Sequence, residues 1–297
     1  RNLTVKDVNK KGDVMIPRPG GIPIVIGLVA AEIALYAFFP ISEILAVTIV
    51  SVLGFCVGLI DDRKVMGGWF KPLALAFCAA PILLLGAYDS NLSFPLFGSV
   101  QIPSLYLALV VFMIPITGNT INSIDVLNGV ASGVVTIASF ALAISLFIMQ
   151  NYEIGIASLC LAFASLGFYK YHKFPSKIFP GDSGALVLGS TYGVIAIVGH
   201  VEVISAIAIL PAVINSFLFL TSVKKIVEHR EIKNPVLHTD DFKLKSTDDK
   251  TAPITLVRLI VAKLPLSEKQ IGAEIFKLSI FCGILAVITA FFMEVKI

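Results

Sequence analysis

The chain has 297 residues and a net charge of +3, and 57% of its residues are hydrophobic while only 14% are charged. Soluble proteins carry about 25% charged residues, and a soluble protein of this size could not bury so much apolar surface beneath a wettable exterior. The composition excludes a soluble enzyme, a disordered chain, a disulfide scaffold and a free nucleic-acid binder. It predicts an integral membrane protein.

Nine apolar segments are long enough, or nearly so, to cross about 30 Å of hydrocarbon, which takes roughly 20 helical residues. Their apolar character is continuous rather than alternating, which favours helices over barrel strands. We therefore expect an all-α, polytopic transmembrane helix bundle forming a single domain over residues 1–297, with a long loop at 223–277. The predicted spans are 22–40, 43–61, 71–88, 104–119, 130–149, 154–169, 185–200, 203–222 and 278–294.

The positive charges favour one orientation. If the N-terminus is cytoplasmic, the segments on that side hold 22 of the Lys and Arg residues and the opposite side holds one, Lys296. Such an excess on one side is typical of cytoplasmic loops. We expect a multi-pass protein whose cytoplasmic face carries most of the polar chemistry.

Two adjacent carboxylates, Asp61 and Asp62, end the second span. Carboxylates at a helix C-terminus interact unfavourably with the helix dipole, so their presence there requires an explanation. One interpretation is a solvated loop start in which they pair with Arg63 and Lys64. The other is a metal ligand or a general base. We expect Asp61 to face inward and Asp62 to be the residue paired with Arg63 or Lys64.

A second polar group follows the fourth span, where Asn119, Asn122, Asp125 and Asn128 recur at intervals of three residues. On a helix this spacing gives one slowly drifting stripe. The amides and the carboxylate could recognise a base edge or hold a hard cation, or they could be turn residues ahead of Gly129.

A third polar group lies directly before the seventh span, at residues 177–184 (KIFPGDSG). Asp182 or Ser183 could cap the helix that follows. A glycine-rich turn opening a helix also exposes N–H groups and a positive dipole end, which suits phosphate.

Glu32 lies in the middle of the first predicted span, where an acid is either functional or paired within the bundle. A transporter would concentrate polar residues at this depth, whereas the other polar groups stand at span ends. The pattern favours a phosphate and metal site at the membrane surface. A transporter or flippase of a lipid-linked or anionic substrate is the alternative.

The chain resembles the polyprenyl-phosphate N-acetylhexosamine-1-phosphate transferase superfamily, whose members have ten spans and a cytoplasmic active site. Within it, the chain is most similar to the dolichyl-phosphate N-acetylglucosaminephosphotransferases of eukaryotes and archaea. By that resemblance, the nine predicted spans correspond to the second to tenth. The matching motifs are residues 7–10 (DVNK), 17–21 (PRPGG), 58–62 (GLIDD), 119–133, 179–183 (FPGDS) and 229–230 (HR).

The resemblance also implies roles for individual residues. Mg²⁺ would be held by Asn122 and Asp182. Asn128 would recognise uracil, with Phe179 stacking on the base and Asn119 in the same substrate site. His229 and Arg230 would contact the sugar or the diphosphate. Asp61, Asp62 and Lys71 would lie near the lipid phosphate and the metal as the catalytic group.

The activity so implied is transfer of GlcNAc-1-phosphate from UDP-GlcNAc to dolichyl or another polyprenyl phosphate, with release of UMP. We expect Mg²⁺ as cofactor, the lipid bilayer as surroundings and no nucleic acid as partner, and we leave a homodimer open. The membrane would be the cell membrane in an archaeon or the endoplasmic reticulum membrane in a eukaryote.

Overall fold

The computed structural model describes residues 4–8, 14–64, 66–224 and 233–294. In these ranges the chain is mostly helical, as the composition predicts. The helices are α1 (Gly21–Phe38), α2 (Ser42–Arg63), α3 (Phe70–Phe77), α4 (Ala80–Leu84), α5 (Pro103–Ile124), α6 (Val130–Ile148), α7 (Tyr152–His172), α8 (Gly181–Val198), α9 (Glu202–Ala208), α10 (Leu210–Val223), α11 (Leu256–Ile260) and α12 (Glu268–Glu294).

Three small antiparallel hairpins connect the helices. They pair β1 (Thr4–Lys6) with β2 (Met15–Pro17), β3 (Asn91–Phe94) with β4 (Gly98–Gln101), and β5 (Val236–His238) with β6 (Leu244–Ser246). The first of these hairpins leads into α1 and so fixes the chain immediately before the first span.

Seven helices of the described ranges are long and apolar enough to cross a membrane, or eight if α9 and α10 together form one span bent by 77°. The predicted span 71–88 is divided into α3 and α4, which together run from residue 70 to 84. A helix of that length extends about 22 Å, less than the thickness of a bilayer core. The all-helical membrane fold is confirmed, whereas the count of nine spans stays a prediction.

The helix α8 lies at the centre of the bundle, where 94% of its span is buried. It is rich in small residues, which let neighbouring backbones approach closely. At Gly58 of α2, an added Cβ would lie 2.5 Å from the Asp182 backbone oxygen. Only a glycine at position 58 therefore allows the end of α2 to meet the start of α8.

The last helix begins earlier than the sequence predicted. The expected loop 223–277 ends at residue 267, because α12 already starts at Glu268. Its first turns bury Ile271 and Ile275 while Glu274 and Lys277 remain exposed and form an ion pair. The charged residues concealed this amphipathic start from a search for continuous apolar runs.

Candidate active site

The N-terminus of α1, the C-terminus of α2 and the N-terminus of α8 meet at one end of the bundle, here called the site end. Arg18, just before α1, links the other two helices. Its guanidinium Nη2 lies 2.7 Å from Asp62 Oδ1 and 2.7 Å from Asp182 Oδ2, and its Nε donates to Asp62 Oδ1 at 3.0 Å. Burial lowers the pKa of Arg18, but Asp62 and Asp182 outweigh it and hold the pKa above its ordinary value.

Lys71, at the start of α3, forms the second bridge. Its Nζ lies 2.7 Å from Asp182 Oδ1 and 3.0 Å from Asp61 Oδ2. Asn122, near the end of α5, donates through Nδ2 to the same Asp182 oxygen at 3.1 Å. The structure thus brings together six residues, and five of them, all except Arg18, are predicted site residues. Asp182 is their common partner.

Asp62 does not pair with Arg63 or Lys64, so that prediction is wrong. Its carboxylate instead accepts hydrogen bonds from the backbone N–H groups of Asp182, at 3.1 Å, and Ser183, at 2.9 Å. It caps α8 from another helix, and the prediction that Asp182 or Ser183 caps α8 is also wrong. Because Asp62 occupies these N–H groups, they are not available as a phosphate cradle.

Gly181 makes this capping arrangement feasible. Its φ is +70°, which side-chain-bearing residues rarely adopt, and an added Cβ would lie 2.8 Å from Asp62 Oδ2. The glycine therefore serves the approach of Asp62 to the helix end.

The predicted stripe of Asn119, Asn122, Asp125 and Asn128 is only partly helical. The helix α5 ends at Ile124, and Asp125 and Asn128 lie in the turn before α6. That turn closes at Gly129, whose φ of +83° is typical of glycine. All four side chains nevertheless line the same cavity.

Asp125 has an unusual environment in this turn. Burial raises the pKa of Asp125 to about 7, an effect that Arg18 opposes and that Asp182 and Asp62 reinforce. Its Oδ1 lies 3.6 Å from Nε2 of His172, which is buried and hydrogen-bonded to Ser132. Burial therefore favours the protonated form of Asp125 more than is usual for an aspartate.

The polar cluster lines a cavity of about 910 Å³ at the site end. One part of the wall is polar and includes Arg18, Asp61, Lys71, Asn122 and Asp182. Another part is apolar, comes from α3 with the residue before it, α5 and α10, and consists of exposed side chains. These are Trp69, Leu73, Phe112, Ile116, Phe217 and Leu220.

The predicted base-binding residues lie in the same cavity. Phe179 is half-buried and held by backbone hydrogen bonds to Pro17 and Gly20. Asn128 and Asn119 line the cavity as well. Asn119 donates to the Pro115 carbonyl of its own helix. The predicted contacts of His229 and Arg230 lie outside the described residues.

Asp182 and Asn122 bring side-chain oxygen atoms of the kind that a hard divalent cation binds, and Asp61 lies beside them. Both Asp182 oxygens are paired in this structure, one with Arg18 and the other with Lys71 and Asn122, so a bound cation would replace some of these contacts. Among the described residues, no group of three or more His, Cys, Asp or Glu side chains is arranged to hold a metal alone. Mg²⁺ usually takes only one or two carboxylates and completes its shell with water and substrate phosphates, so a sparse set suits it.

Sequence reasoning assigned no role to Arg18 or Glu268. A signal existed for Arg18, which stands between two prolines immediately before the first span. Glu268 was assigned to the middle of a loop, and only the early start of α12 brings it to the Asn128 turn. The contact between Glu268 and Asn128 could be found only from the tertiary structure.

A polytopic membrane protein with a charged cavity at the ends of its spans is the class that the fold and the cluster define. The model of glycosyl transferase family 4 matches residues 44–200, which is more than half of the chain. The chain belongs to this family. The matched range contains all eight of the predicted site residues that the structure describes.

The curated relatives agree with this membership. "Putative UDP-N-acetylglucosamine--dolichyl-phosphate N-acetylglucosaminephosphotransferase" is the name of a Saccharolobus solfataricus protein 30% identical over 72% of this chain and 68% of its own length. A Sulfolobus acidocaldarius protein of the same name is 30% identical over 97% of this chain and 88% of its own. The phospho-N-acetylmuramoyl-pentapeptide-transferase of Staphylococcus haemolyticus is 29% identical, covering 63% of each chain.

Proposed function

We propose that the protein transfers GlcNAc-1-phosphate from UDP-GlcNAc to dolichyl or another polyprenyl phosphate and releases UMP. The observation that carries this proposal is the cavity with two kinds of wall, one charged and the other made of exposed apolar side chains. A reaction between a water-soluble nucleotide sugar and a lipid phosphate requires a charged surface for the first and an adjoining apolar surface for the second. The names of the archaeal relatives support the same pair of substrates.

The charge of the cluster supports a requirement for Mg²⁺. Arg18 and Lys71 face the carboxylates of Asp61, Asp62 and Asp182, so these five side chains carry a net charge of −1. A nucleoside diphosphate and a lipid phosphate are both anions, and a negative cluster would repel them. Asp182 and Asn122 would hold the Mg²⁺, which when bound neutralises charge on the diphosphate.

In the proposed reaction, an oxygen of the acceptor phosphate attacks the β-phosphorus of UDP-GlcNAc. A new P–O bond joins the two phosphates, and the bond between the β-phosphorus and the bridging oxygen breaks as UMP leaves. Phosphoryl transfer depends on positioning and charge neutralisation more than on covalent help from protein. The anionic acceptor needs no strong base, so Asp61 acts by holding Lys71 in place, at 3.0 Å.

The nucleotide would occupy the part of the cavity that Phe179 and Asn128 line. A half-buried aromatic ring offers a stacking surface, and the amide offers hydrogen-bonding groups to a base edge. His229 and Arg230 remain our proposed contacts for the sugar or the diphosphate.

The lipid acceptor would enter along the apolar wall, with its phosphate at Lys71 and its tail against α5 and α10. The excess of Lys and Arg on one side supports a cytoplasmic site end, where nucleotide sugars are available.

The decisive experiment uses purified protein with radiolabelled UDP-GlcNAc, polyprenyl phosphate and Mg²⁺. We expect a labelled lipid product and UMP, and neither in EDTA. Parallel reactions with UDP-GalNAc and other UDP-sugars identify the hexosamine. Uptake of label into protein-containing vesicles without any lipid product would instead indicate a transporter and overturn the proposal.

A further inference from the structure

A buried carboxylate from the start of α12 contacts the turn between α5 and α6. Glu268 Oε1 accepts the backbone N–H of Asn128 at 2.6 Å, and Oε2 accepts from its side-chain Nδ2 at 3.1 Å. Asp7 Oδ2 lies 3.3 Å from the same Nδ2. All three residues are less than 9% exposed. Glu268 therefore binds both the backbone and the side chain of Asn128.

These contacts determine which way the amide of Asn128 faces. An ionised carboxylate only accepts hydrogen bonds, so the group between Glu268 and Asp7 must be the NH₂ and not the oxygen. Both oxygens of Glu268 accept from N–H groups of Asn128, which is the arrangement expected of a carboxylate. The Asn128 side chain lines the cavity, and its Oδ1 accepts no hydrogen bond from the described residues. Asn128 therefore presents a hydrogen-bond acceptor, its Oδ1, to a ligand in the cavity.

We propose that Glu268 is a positioning residue that makes the nucleotide pocket selective for uracil, an inference that rests on the proposed function. Uracil presents an N–H donor at N3, where cytosine presents an acceptor. When Asn128 is held with its Oδ1 toward the base, this oxygen accepts a hydrogen bond from uracil N3–H. It repels the acceptor that cytosine presents at the same position. A site built around one hydrogen bond discriminates against a base that leaves the group unpaired.

The test compares inhibition of the transferase by UDP and by CDP. Wild-type protein should prefer UDP. In Glu268→Gln, the new amide can donate to Asn128 Oδ1, so Asn128 is free to turn its NH₂ toward the base. The preference for UDP should fall about tenfold, as expected for one hydrogen bond. An unchanged ratio would overturn the proposal.

Glu274→Gln is the matched control, because Glu274 lies on the same helix but is exposed and pairs with Lys277. It should leave the ratio of the two inhibition constants unchanged. A purely structural effect of changing the start of α12 would weaken both inhibitors equally and leave that ratio constant in Glu268→Gln as well, which would also count against the proposal.

A reciprocal exchange gives an independent answer. Asn128→Asp alone places a third carboxylate beside Glu268 and Asp7 and should weaken UDP binding strongly. Adding Glu268→Gln supplies a donor to the new carboxylate, so the double variant should recover the wild-type UDP preference within about threefold. If the Glu268→Gln single variant cannot be purified, the double variant decides whether Glu268 positions Asn128. A double variant that does not recover the preference for UDP overturns the proposal.

The outcomes separate this inference from the proposed function. A wild-type protein that forms no lipid product and binds UDP and CDP with equal affinity would remove the proposed function. A wild-type protein that forms product and prefers UDP, beside a Glu268→Gln variant with the same preference, would remove only the role of Glu268.

Discussion

Two polar groups lie on or beside the same three helices, at different depths. At the site end, Arg18 before α1 joins Asp62 of α2 and Asp182 of α8. Deeper in the bundle by about 15 Å along the helices, α1, α2 and α8 contribute Glu32, Ser51 and Thr191. Arg18 and Asp182 of the first group line the cavity, while no residue of the second group does.

The two groups also differ in their partners. Each acid at the site end faces a cation, whereas Glu32 accepts one hydrogen bond from Ser51 and has no cation within ion-pair distance among the described residues. Its Oε2 has no partner there. A buried acid in a span is thus not sufficient evidence of a substrate site. Access to a cavity and opposing charges distinguish the group that we propose to be functional from the deeper one.

The largest effect should come from Asp182→Asn. The change removes the charge that holds Arg18, Lys71 and the proposed metal, and we expect turnover to fall by roughly 10²–10³-fold, as for loss of a preorganised charge contact. Product formation from UDP-GlcNAc measures it, beside a size-exclusion profile that should stay monodisperse. A folded variant with full activity would remove Asp182 from the site.

The next comparison separates the adjacent aspartates. Asp62→Asn keeps only one of the two oxygens that cap α8 and loses the charge that pairs with Arg18, so it should lower stability by about 1–3 kcal/mol. Asp61→Asn should lower turnover mainly, because it releases Lys71. Thermal unfolding and turnover of both variants test this division. Equal losses in the two measurements would show that the pair acts as one unit.

A smaller effect is expected at the nucleotide end of the cavity. Phe179→Ala should raise the KM for UDP-GlcNAc and leave the KM for the lipid acceptor unchanged, because stacking on a base is worth about 1–3 kcal/mol. Steady-state kinetics with each substrate varied in turn provide the measurement. Asn128→Ala should lose selectivity for uracil. If neither variant changes the KM for the nucleotide sugar, the base binds elsewhere.

The smallest effect should come from Glu32→Gln. The amide keeps the size of the side chain and can still accept from Ser51, so turnover should stay within about twofold of wild type. The same radiolabel assay measures it. A loss comparable to that of Asp182→Asn would show that the deeper group contributes to the reaction and would erase the distinction drawn between the two.

The sequence was sufficient for the helical membrane fold and for the motifs of the cavity. Continuous apolar runs directly indicate burial in lipid. Carboxylates at the C-terminus of a helix interact unfavourably with the helix dipole, so they indicate that other groups must compensate. Asp61 and Asp62 were found in this way. The roles of the two could not be separated, because the partner of Asp62 lies 120 residues away at the start of α8.

Other features depended on long-range contacts that no local pattern encodes. The spacing of the polar residues left both a helical stripe and a turn before Gly129 open, and the structure ends α5 at Ile124 and holds the turn that follows from α12. Similarly, the apolar character of residues 71–88 predicted one span, while the structure divides that segment into α3 and α4. In both places tertiary packing outweighed the periodicity of the sequence.

The apolar wall formed by α3, α5 and α10 has a consequence for kinetics. An acceptor that enters through a side opening never leaves the membrane, so it meets the protein by diffusion in two dimensions. Its effective concentration is then its mole fraction among the surrounding amphiphiles and not its amount per volume. Diluting the acceptor with empty detergent micelles or inert phospholipid should therefore slow the reaction even when the volume and the amount of acceptor are held constant.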